Sequence, residues 1–141
     1  MSAFPTTPLL QLLAILVTLL VLDAGWLTAI APTVRALWAS IQGSPLQIRW
    51  IPAAVVYVLL MVGTWFFAVQ PATSVLTASY RGAALGLVAY GVYDMTLYAT
   101  VTKYPLSMAL SDMAWGAFLC GAAAVAGYLV NPATTAALTR E

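Results

Sequence analysis

Residues 9–30 read LLQLLAILVTLLVLDAGWLTAI, and Asp23 is the one charged residue among them. A helix needs about 20 apolar residues to cross the hydrocarbon core of a bilayer, so this stretch is expected to be a membrane span. No lysine or arginine precedes it, and the run is long for a cleaved signal, so it is expected to stay in the protein.

Outward from it the pattern returns. Residues 51–69 are uncharged, with Trp50 at one end and Trp65, Phe66 and Phe67 near the other, as in an interfacial aromatic belt. Residues 82–102 follow Arg81, contain only Asp94 as a charge, and are closed by Lys103. Residues 106–130 contain only Asp112. Pro71, Pro105 and Asn131-Pro132 punctuate the runs, and a short polar connection over 72–80 suits antiparallel neighbours. Pro32 and the segment 38–47, with Gly43-Ser44-Pro45, are expected to break the first helix into a loop or short interfacial helix. The alternating segments of a β-barrel are absent. The expected fold is all-α: one transmembrane domain over residues 1–141, built as a four-helix bundle with short loops.

Composition agrees. Hydrophobic residues make up 63% of the chain and charged residues 6%, with mean hydropathy +0.97. A water-soluble domain carries about 25% charged residues, so this chain cannot present a water-facing surface all round. Its partner is the lipid bilayer, with a second copy or other membrane subunits expected beside it. A net charge of +1 provides no basic patch, which argues against nucleic acid. There is no histidine, and the lone Cys120 lies in a run of alanine and glycine, where it reads as a small packing residue. No catalytic constellation, cofactor fingerprint or metal-ligand spacing occurs, so no catalytic residue, cofactor or metal is expected.

The loops after the first and third helices hold Arg35, Arg49 and Lys103, against Arg81 and Arg140 on the other side. The positive-inside rule then puts both termini outside the cytoplasm, in a membrane of the bacterial inner type.

Asp23, Asp94 and Asp112 carry the functional signal. Apart from Glu141 they are the only acids, and each interrupts a span. Ionisable groups at membrane depth cost several kcal/mol and by default mark function. Counted from the helix ends at about 1.5 Å per residue, each lies roughly 10 Å from the face that bears the first and third loops. They are therefore expected to form one cluster, with at least one acid protonated at neutral pH because no base lies within a span. Tyr90, Asp94 and Tyr98 share a helix face at i, i+4 spacing. Asp23 and Trp26, three apart, share another, as do Asp112 and Trp115; Tyr57 is in range to reach inward. For helix packing, Gly82-x-x-x-Gly86 and the small residues Gly116, Cys120 and Ala124, with Gly121 on an adjoining ridge, permit close approach.

The order Asp23-x-x-Trp26-Leu27, Gly86-x-x-x-Tyr90-x-x-Tyr93-Asp94-x-Thr96, Ala99-Thr100, Pro105 and Asp112-x-x-Trp115-Gly116 resembles a family of small membrane proteins found mainly in bacteria. It is catalogued as domain of unknown function 2177. The likeness runs from the first helix to the fourth and implies a four-helix membrane protein, with no established activity. One departure is Leu97, where the family pattern leads to an asparagine, so no role needing an amide beside Asp94 carries over.

Three functions remain open. Asp23, Asp94 and Asp112 as proton or cation ligands, oriented by Tyr90 and Tyr98, would make a small transporter or channel. Against that stands the lack of a visibly broken helix within a span. Small size and two close-packing faces suit a structural or accessory subunit of a larger assembly. A lipid-modifying enzyme is the third reading; it lacks a nucleophile–base pair.

Overall fold

The computed structural model describes residues 6–131; Arg140 and Glu141 lie outside this range. Four helices form the described chain: α1 (Thr6–Gln42), α2 (Trp50–Gly63, continued by a π-helical segment over Thr64–Val69), α3 (Val75–Thr100) and α4 (Leu106–Leu129). There is no strand among the described residues.

α1 corrects the expected break after Ile30. It runs without interruption through Pro32 to Gln42, about 55 Å at 1.5 Å per residue. Proline removes one N–H and frees the carbonyl four residues back, a defect that membrane helices tolerate. The helix stops at Gly43, whose φ of +71° suits a residue without a Cβ, and its N–H closes on Ala39 O at 3.0 Å. The amide of Gln42 then donates to the carbonyls of Ser44 and Pro45, holding the chain outside the helix. Lys103 Nζ, from the α3–α4 loop, donates to Ser40 O at 2.7 Å and ties the two loops at this end together. A cation there also suits the negative end of the helix dipole.

α3 begins earlier than expected, inside the segment read as a connection. Ser74 is its N-cap: the side-chain oxygen accepts the N–H of Thr77 at 3.1 Å, satisfying a donor that would otherwise be orphaned. Within α2, the π segment widens the last turns, with Gln70 N–H donating to Trp65 O at 2.9 Å. Arg81 Nε takes up the Phe67 carbonyl at 3.0 Å. Gly63 and Pro71 flank this irregularity, but neither residue type specifies a π turn.

α1, the whole α2 segment Trp50–Val69, and α4 are long and apolar enough to cross a membrane. α3 is less apolar, because Arg81, Asp94 and four tyrosines dilute it. It lies antiparallel along α4 at very short range. A Cβ added to Gly82 would collide with the carbonyl of Cys120, and one added to Gly86 with that of Gly116. Gly121 is less crowded, its nearest neighbour being Ser79 O at 3.3 Å.

Around the bundle the order is α2, α1, α4, α3; α3 packs on the π segment and hardly touches the rest of α2. Ile15, Leu19, Ala68, Val69, Ala78, Leu119, Ala123 and Ala124 fill a core toward the end where α1 begins. Toward the opposite end, where the loops after α1 and α3 lie, α2 and α3 stand apart. No residue of Trp50–Gly63 is buried.

Candidate functional site

Asp-x-x-Trp occurs on α1 and again on α4, which run in opposite directions. Residues three apart share a helix face, so two such motifs on antiparallel helices can answer each other. They do. Trp115 Nε1 donates to Asp23 Oδ1 at 2.9 Å, and Trp26 Nε1 donates to Asp112 Oδ1 at 3.2 Å. Between the acids the two indoles stack, with centroids 4.8 Å apart and planes 6° from parallel. Stacking of this kind adds about 0.5–1.5 kcal/mol beyond burial. Asp23 also accepts from Tyr57 Oη on α2 at 2.6 Å, so both its oxygens are occupied. Asp112 has only Oδ1 engaged.

The reciprocal pairing brings Asp23 and Asp112 together across α1 and α4.

Asp94 stands apart. It is fully buried between α3 and the α3–α4 loop, where Tyr104 Oη donates to Oδ1 at 2.6 Å while Oδ2 has no partner. Burial, and then the Asp94 carboxylate, hold the Tyr104 phenol well above its usual range, so it remains the donor. The expected Tyr90–Asp94–Tyr98 stripe makes no hydrogen bond along the helix. Tyr98 is exposed, and the Tyr90 ring covers Gly116, where any Cβ would strike it. Sequence reasoning missed Tyr104, ten residues beyond its acid and brought back only by the tight hairpin before Pro105. It also missed the pair at the closed end, where Trp65 Nε1 donates to Gln11 Oε1 at 3.1 Å. Among the described residues no three Asp, Glu, Cys or His side chains gather as metal ligands would.

Asp23 and Asp112 share a cavity of about 670 Å³ that lies in the gap between α2 and α3. Tyr57, Tyr90 and Tyr93 also line it, and the remaining walls are aliphatic. At its inner limit Gly63 meets Leu85, where a Cβ would come within 3.6 Å. Asp94 does not line it. The three acids thus divide into a cleft-facing pair and one sealed residue.

Residues 8–129 match the family described as "Predicted membrane protein (DUF2177)". With nearly the whole chain matched, the protein belongs to that family and is a membrane protein. Neither a curated protein nor a solved structure matches it.

Proposed function

We propose that this member of the DUF2177 family moves protons or cations across the bilayer, with Asp23 and Asp112 as the exchange site and α3 crossing beside α4. One observation carries the reading: both acids face the same cleft, and Asp112 keeps an oxygen free of protein donors. Acids at membrane depth that line a cavity mark ion pathways by default.

In this mechanism Asp112 takes the arriving charge at Oδ2, while the stacked indoles hold both carboxylates against recoil. Tyr57 is the latch. Its hydroxyl ties α2 to Asp23, and neutralising that carboxylate weakens the bond. The outer part of α2, which has no fully buried residue, can then swing on the π segment. The same Asp-x-x-Trp motif in opposite orientations on α1 and α4 gives the centre an inverted local symmetry. Inverted repeats in transporters serve alternating access in this way. The packed core at the other end supplies the closed gate.

Proteoliposomes holding an imposed pH gradient or a potassium diffusion potential test the proposal. Wild type is expected to dissipate it, with at least a tenfold loss in Asp112→Asn. Equal flux in the two, or none in either, removes transport.

A second reading, an accessory subunit docked through α2, rests on that helix's lack of any buried residue. A lone monomer in mild detergent would count against it.

A further inference from the structure

The cleft is larger than a proton needs, and most of its lining is aliphatic. Its volume of about 670 Å³ falls within the roughly 300–1,000 Å³ of drug-sized ligand sites. An alkali cation would have to replace its water shell with oxygens, and the lining offers few: two carboxylates, of which only Asp112 Oδ2 lacks a protein donor, and three phenols. An anion meets two acids with no lysine or arginine in the walls. A neutral acyl chain suits the aliphatic walls and leaves the acids unanswered.

An amphiphile with a positive centre answers every part. Its charge faces Asp112 and Asp23. Tyr90 and Tyr93 line the cleft, and aromatic rings attract a cation by about 0.5–2 kcal/mol, more as water is excluded. Its apolar body lies against the aliphatic side chains of α2 and α3. The gap between those helices reaches the flank of the bundle, where Val56 and Tyr93 are exposed. We propose that the cleft binds lipophilic organic cations that enter sideways from the bilayer between α2 and α3. This rests on the acid pair being the charge-exchange site and names the class of cation it takes.

The test is equilibrium binding of tetraphenylphosphonium to the full chain in nanodiscs, beside tetraphenylborate, an anion of nearly the same size and shape. Saturable binding of the cation is expected, with the anion at least tenfold weaker. Asp112→Asn is expected to weaken the cation at least tenfold. So is Ala89→Trp, which fills the cleft from α3 without touching an acid. Gel filtration checks that each variant is folded; if Asp112→Asn is not, Ala89→Trp decides. Lowering the pH should release the ligand, because protonating the carboxylates removes the attraction. Absence of saturable binding, equal binding of the two ions, or variants that bind like wild type overturns the inference. Proton flux that needs Asp112, without tetraphenylphosphonium binding, removes this inference alone. Asp112-dependent binding without any flux removes transport and leaves the site.

Discussion

Two tyrosine hydroxyls distinguish the aspartates. Tyr57→Phe takes one of two donors from Asp23, which keeps Trp115. Its cost is expected to be about 1 kcal/mol, typical of one hydrogen bond. Tyr104→Phe strips the only donor from a fully buried Asp94 and is expected to cost about 2–3 kcal/mol, the penalty for an unsatisfied buried group. Thermal unfolding in detergent should therefore put Tyr104→Phe below Tyr57→Phe; the reverse order contradicts the assignment of Asp94 as the sealed acid. At this scale the sequence was half legible. Three acids inside spans stand out at once, and the paired Asp-x-x-Trp spacing already implied a shared face. Which donor meets which acid was not legible, because Tyr57 and Tyr104 reach their partners through tertiary placement and not through i, i+4 spacing.

Helix contacts make a sharper comparison among glycines that look alike in sequence. Gly86→Ala drives a methyl into the Gly116 carbonyl, a backbone atom that cannot step aside. Separating α3 from α4 is expected to cost about 1–3 kcal/mol, the usual range for overpacking. At Gly121 the same substitution meets Ser79 O at 3.3 Å and asks for a shift of a few tenths of an ångström, so its effect should be well under half as large. Unfolding midpoints of the two variants check this, and equal losses would refute the close approach at Gly86. The number and order of helices were readable from apolar runs and their punctuation. Their ends were less so. Pro32 reads as a breaker by the rules of water-soluble helices, yet α1 continues past it to Gly43. Ser74 starts α3 within a stretch whose polarity resembled a loop.

For the whole molecule, the decisive feature is the order α2, α1, α4, α3, which closes the bundle at one end and leaves α2 and α3 apart at the other. Apolar periodicity carries little of this, since residues facing lipid and residues facing the core are alike in hydrophobicity. The cleft, and the division of the acids it produces, therefore emerges only from the packing. Reaction with a membrane-soluble carbodiimide at mildly acidic pH, followed by mass mapping of peptides, tests that division directly. The reagent reaches carboxyl groups that face the apolar phase and misses those enclosed by protein. The expected result is an adduct on Asp112 and none on Asp94 over the same interval, with Ala89→Trp protecting Asp112. An unmodified Asp112, or Asp94 labelled at least as fast, would contradict an acid pair reached from the cleft.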